Sequence, residues 1–129
     1  MNAPQVRLVL FRVVLVIVVL LVFHLATTEV QYPAVSSVND KVGHVLAFGL
    51  LSLLADFSFP VGRFGLAKIL PLLGYGVLIE VVQYFLPYRE ASFFDVLADG
   101  VGVALYAMGI PMLDRIPVVR RLASLRRPL

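Results

Sequence analysis

The chain has 129 residues, of which 60% are hydrophobic and 15% charged, with a mean hydropathy of +0.96. A soluble domain keeps roughly a quarter of its residues charged, so this chain cannot cover itself with polar groups; its solvent is largely lipid, and its length allows one domain. The net charge of +3 does not mark a nucleic-acid partner, because five of the eleven basic residues fall in the last fifteen positions and others flank apolar runs, which is the pattern of membrane topology signals. The absence of Cys excludes disulfides, thiolate catalysis and Cys-ligated metals.

In chain order, apolar runs at about 6–25, 42–59, 64–86 and 93–113 each have the length that a helix needs to cross a bilayer core of roughly 30 Å. The β-branched richness of 13–22 does not argue for strands, since an isolated strand leaves its backbone unsatisfied in lipid and a helix does not. The first run also fits a signal peptide, with Arg7 and Arg12 ahead of an apolar core. Its exit through His24, Leu25, Ala26, Thr27 and Thr28 lacks a small-x-small cleavage site, so an uncleaved helix is the reading taken. The links 60–63 and 87–92 are short, which makes the second, third and fourth helices antiparallel neighbours. After Pro117, Val118, Val119, Leu122 and Leu125 alternate with Arg120, Arg121, Arg126 and Arg127 at the spacing of a short basic amphipathic helix on an anionic leaflet, or of a plain topology anchor.

With the N-terminus inside, Arg7, Arg12, Arg63, Lys68, Arg115, Arg120, Arg121, Arg126 and Arg127 lie on the cytoplasmic side and only Lys41 and Arg89 lie outside. That bias predicts an all-α, polytopic integral membrane bundle of four transmembrane helices, N-in/C-in, as one domain spanning 1–129. Asp56 and Lys68 are placed near cytoplasmic helix ends, from which they reach the headgroups.

The other ionisable residues gather at the outer end. Asp40, Lys41 and His44 open the second helix, Glu80 and Gln83 close the third, Asp95 and Asp99 open the fourth, and Arg89 lies in the turn between the last two. At 1.5 Å per residue, Glu80 and Asp99 both lie roughly 9 Å below the outer boundary, and His44 is at about that level. Positions 40, 44 and 48, positions 76, 80, 83 and 87, and positions 95, 99, 102 and 106 each form one helical stripe. The pairs Gly43/Ala47, Ala98/Gly102 and Gly100/Ala104 offer close helix approach. An Asp in mid-helix costs about 2.5–3.5 kcal/mol on insertion scales, so such residues in a span ordinarily pair inward and carry function. Plainer readings exist for each: Ser92-x-x-Asp95 and Ser37-x-x-Asp40 fit capping boxes, His44 fits a satisfied interior histidine, Glu80 and Arg89 fit a structural ion pair, Gln83 fits an interhelical hydrogen bond, and His24 fits an interfacial position. They account poorly for the convergence of all these groups at one depth.

Asp40-Lys41-x-x-His44-x-x-x-Phe48, Glu80-x-x-Gln83-x-x-x-Pro87-x-Arg89 and Asp95-x-x-x-Asp99-x-x-Gly102, in that order on consecutive spans, resemble the VanZ-like family of small bacterial membrane proteins, over about 40–109. The resemblance implies a four-helix domain in the bacterial cytoplasmic (inner) membrane, from a family named for low-level resistance to the glycopeptide teicoplanin. It brings no established reaction. The chain departs from the family in having Asp99 where an Asn is usual and Tyr106 where a small residue is common. Asp99 is therefore expected to be protonated or matched by a cation, since an unpaired buried carboxylate is expensive.

Two functions compete. One is an outer-leaflet pocket built from Asp40, Lys41, His44, Glu80, Gln83, Arg89, Asp95 and Asp99 for a membrane lipid or lipid-linked envelope precursor. In it Lys41 and Arg89 would meet phosphate and His44 with Glu80 would exchange protons. The other is a non-enzymatic accessory or scaffold protein whose polar seam specifies helix packing. No resident cofactor is indicated, although the carboxylates could hold a divalent cation. An aspartyl protease resembling lipoprotein signal peptidase lacks that family's Asn- and Arg-containing motifs here, and transport lacks a polar path through the inner half.

Overall fold

The structure, a computed structural model, describes residues 1–29 and 37–124. The described residues form helices and connecting turns: α1 (Ala3–Thr27), α2 (Ser37–Ser58), α3 (Leu66–Tyr84), α4 (Phe93–Leu113) and the short α5 (Pro117–Ala123). The first four are long and apolar enough to cross a membrane. Each apolar run thus becomes a helix, as lipid requires of a single chain segment. The side chain of Ser37 and the tail residues Leu125, Arg126 and Arg127 lie outside the described residues.

Local chemistry sets the ends. Asn2 and Gln5 form a reciprocal capping box that starts α1 before its apolar run, with Pro4 in the first turn. Gly65 starts α3 without a side-chain cap. Ser92 opens α4, but its hydroxyl makes no capping bond, so the expected Ser92–Asp95 box does not form. Asp95 is occupied elsewhere.

Contacts fix the arrangement. Lys41 meets Asp95 and His44 meets Asp99, so α2 and α4 run side by side in the same direction. Asp56 meets Lys68 at the far end, so α3 returns antiparallel to both and packs against them. α1 packs mainly on α2, with Arg12 reaching the Ser58 carbonyl and Tyr75 of α3 reaching the Val19 carbonyl. None of its residues is fully buried. Its one-sided contact suits the outermost helix of a bundle in lipid.

The closest crossing joins α2 and α4. A Cβ at Gly102 would collide with the Val45 carbonyl and lie 3.0 Å from the Gly49 nitrogen, so only glycine permits this approach. Of the residues in the expected small-residue pairs, Gly102 serves the crossing. Gly43 has open space where a Cβ would point, and Gly100 meets only a Leu73 methyl at 4.0 Å. Phe48, Leu51, Ala55, Leu72, Ile79 and Val103 form the apolar core. In helix register, Phe48, Leu51, Leu72 and Val103 separate polar groups at the two ends of the bundle.

Candidate functional site

The polar residues of α2, α3 and α4 collect at the end of the bundle marked by His44. Asp99 is 1% exposed and its Oδ1 lies 2.7 Å from His44 Nδ1. Their positions explain the contact: His44 is one turn past Asp40, Asp99 is one turn past Asp95, and the helices are parallel. His44 Nε2 then faces two more carboxylates, 3.9 Å from Asp40 Oδ2 and 3.8 Å from Asp95 Oδ2. Lys41 Nζ donates to the other Asp95 oxygen, Oδ1, at 3.2 Å. Asp40, Lys41, His44, Asp95 and Asp99 thus form one connected network.

Glu80 is at the same level but has a different partner. The expected Glu80–Arg89 ion pair is not formed. Glu80 Oε2 accepts the backbone N–H of Ser92 at 2.9 Å, and so caps the N-terminus of α4 from a neighbouring helix. Arg89 instead donates to the carbonyls of Leu25 at 2.9 Å and Thr28 at 2.8 Å. Gln83 donates to the Ala26 carbonyl at 2.9 Å, and the Tyr88 hydroxyl donates to that of Thr27 at 2.7 Å. Three side chains therefore satisfy four carbonyls that end α1 and would otherwise lack donors. A guanidinium at the negative end of the helix dipole adds to this. Carbonyl acceptors leave no mark in a sequence, so charge counting assigned Arg89 to the nearest acid.

A cavity of about 320 Å³ opens beside this layer. Val22, Leu25, Ala47, Phe48 and Ile79 provide its apolar wall, and Asp40, His44, Gln83 and Arg89 its polar end. Within the layer, Glu80 Oε1, Gln83 Oε1 and Asp99 Oδ2 are buried acceptors with no donor among the described residues. Asp40, His44 and Asp95 can each aim one ligand atom at a common point, with those atoms within 4.8 Å of one another.

The opposite end holds a polar group that sequence reasoning placed in the headgroups. Asp56 and Lys68 are buried, with Lys68 Nζ donating to Asp56 Oδ1 at 2.8 Å and the Tyr106 hydroxyl to Asp56 Oδ2 at 2.6 Å. Twelve residues apart across a short turn, they face each other more readily than either reaches outward. Ser52 and Ser58 are buried nearby in α2. The half of the bundle opposite His44 is thus more polar than expected, but the apolar core separates it from the His44 layer.

Residues 2–114 match the model of the VanZ/LLP1 family. An uncharacterized protein of the fission yeast Schizosaccharomyces pombe is 39% identical over 72 residues, which cover 53% of this chain and 44% of the relative. The chain therefore spans less than half the length of that curated relative, and the likeness reaches outside bacteria. No solved structure matches the chain. The family match runs from the start of α1 to the end of α4 and takes in both polar layers: the chain belongs to the VanZ/LLP1 family.

Proposed function

We propose that this protein binds the phosphate-bearing headgroup of a membrane lipid, or of a lipid-linked envelope precursor, in the cavity beside His44. The observation that carries this reading is the cavity's construction, with an apolar wall for an acyl or prenyl chain leading to Asp40, His44, Gln83 and Arg89. Arg89 hydrogen-bonds neutral carbonyls, and among the described residues no carboxylate pairs with it, so its charge remains available to a phosphate at the polar end. The bias of basic residues orients the His44 end to the outer leaflet, N-in/C-in, in the cytoplasmic membrane of a bacterium. A link to glycopeptide susceptibility follows if the ligand is an envelope precursor. The yeast relative favours a headgroup that bacteria and fungi share, such as that of a phospholipid.

A second reading rests on the pairings themselves. Lys41 with Asp95, Glu80 with the α4 terminus and Arg89 with the α1 terminus all tie helices together, as a scaffold requires. A photoactivatable phospholipid separates the two. In reconstituted full-length protein, adducts are expected on the α1 and α2 residues lining the cavity, Val22, Leu25 and Ala47. Labelling spread evenly over the lipid-facing sides of α1 and α4 would leave only the scaffold. Orientation is tested by single cysteines, which are clean in a Cys-free chain. Tyr88→Cys should react with an impermeant reagent on intact cells and Gly62→Cys only after permeabilisation.

A further inference from the structure

The geometry points to a divalent transition-metal site formed by Asp40, His44 and Asp95. The proposal deepens the headgroup reading, because it identifies what lets a phosphate approach a carboxylate-rich layer.

Three observations meet at His44. First, its Nδ1 lies 2.7 Å from Asp99 Oδ1. In the neutral tautomer whose Nδ1 proton the carboxylate accepts, the Nε2 lone pair is the free donor atom; a metal-bound histidine ordinarily donates its other ring N–H to a carboxylate, a backbone carbonyl or water. Second, Nε2 faces Asp40 Oδ2 at 3.9 Å and Asp95 Oδ2 at 3.8 Å. A lone pair and two carboxylate oxygens repel one another, so either a proton on Nε2 or a metal ion sits among them, and a metal that binds there displaces that proton. Atoms coordinating one ion at roughly 2.0–2.2 Å stand about 3–3.6 Å apart at octahedral or tetrahedral angles, so the two Nε2 distances need to close by roughly half an ångström, and all three ligand atoms already lie within 4.8 Å of one another. Lys41 does not fill this role, since it holds Asp95 by the other oxygen.

Third, the layer is short of positive charge. It contains four carboxyl groups, Asp40, Glu80, Asp95 and Asp99, against two permanent cations, Lys41 and Arg89, and Arg89 is turned to the end of α1. Asp99 Oδ2 and Glu80 Oε1 are buried with no donor among the described residues. With all four carboxyl groups ionised and both cations counted, one divalent ion brings the layer to balance. Asp40 and His44 also border the cavity, so the ion's remaining positions open onto it and can be filled by water or a phosphate oxygen. One imidazole and two carboxylates suit Mn²⁺ or Zn²⁺ better than a thiophilic ion.

The test is Mn²⁺ titration of the full-length protein, purified in detergent and stripped with chelator, in which bound Mn²⁺ is read as loss of the free-ion paramagnetic resonance signal. One site per chain is expected, displaced by Zn²⁺. Asp40→Asn should weaken binding at least ~10-fold with an unchanged unfolding midpoint, because Asp40 is half-exposed and its contact with His44 is long. His44→Gln should weaken it further, and Glu29→Gln, an exposed acid at the same end, should leave it unchanged. No binding, equal binding in Asp40→Asn and His44→Gln, or an equal loss in Glu29→Gln would overturn the site. The titration contains no added lipid, so its failure is distinct from failure of the lipid-labelling experiment.

Discussion

The two polar clusters of this bundle are built on opposite terms. At one end Asp56, Lys68 and Tyr106 form a charge-balanced set in which one acid meets one base and one hydroxyl, both charged side chains being less than a tenth exposed. The neutral Ser58 hydroxyl is the one buried side-chain group there without a partner among the described residues. At the other, acids outnumber permanent cations, His44 faces three carboxylates, buried acceptors lack donors among the described residues, and a cavity lies alongside. A balanced buried set needs nothing further and serves packing. An unbalanced one in a poorly solvated place is stable only with protons or a cation added, and with a cavity alongside it is the candidate for binding.

The largest effect should come from breaking the balanced set. Asp56→Leu leaves Lys68 buried without its partner and should cost about 3–5 kcal/mol in detergent unfolding, while adding Lys68→Met should recover most of that loss. Asp95→Leu is the matched change at the other end. It should cost only ~1 kcal/mol through its lysine, because the Lys41 side chain is 40% exposed and can turn to water. Equal losses would erase the distinction between the clusters.

Next in size is the crossing between α2 and α4. Gly102→Ala drives a methyl into the Val45 carbonyl and should destabilise by about 1–3 kcal/mol, since backbone cannot move aside as a side-chain tip can. A smaller loss, about 1 kcal/mol, is expected for Tyr88→Phe, which removes one of the donors that end α1. Thermal unfolding in one detergent would rank these variants.

These contrasts also show what the sequence could reveal. Four helices followed from run length, and the gathering of Asp40, His44, Glu80, Asp95 and Asp99 at one level followed from helix rise, because both are local properties of an apolar chain. The interhelical hydrogen bond of Gln83 was legible but not its acceptor, and the roles of Glu80 and Arg89 did not follow. Their partners are backbone groups, the Ser92 N–H and the α1 carbonyls, and every residue offers those. Asp56 and Lys68 were misplaced for a related reason. Their depth left both snorkelling and pairing open, and the choice depended on the turn that sets α2 against α3, with Tyr106 arriving from α4 to complete it. Gly43 and Gly102 look alike as members of small-residue pairs, yet one borders a cavity and the other a backbone.

That last difference supplies the most direct measurement of the central claim, that the His44 end is a binding site and not only a packing device. Gly43→Leu adds a side chain where nothing lies within 4 Å of a Cβ, at a residue that lines the cavity. It should fill the cavity while leaving stability equal or higher by about 0.5–1 kcal/mol, as replacing a helical glycine generally does. Phospholipid affinity and unfolding should be measured on the same preparation, in detergent. The expected result is at least a ~10-fold loss of affinity with an unchanged or raised unfolding midpoint; unchanged affinity in the stably folded variant would contradict the claim.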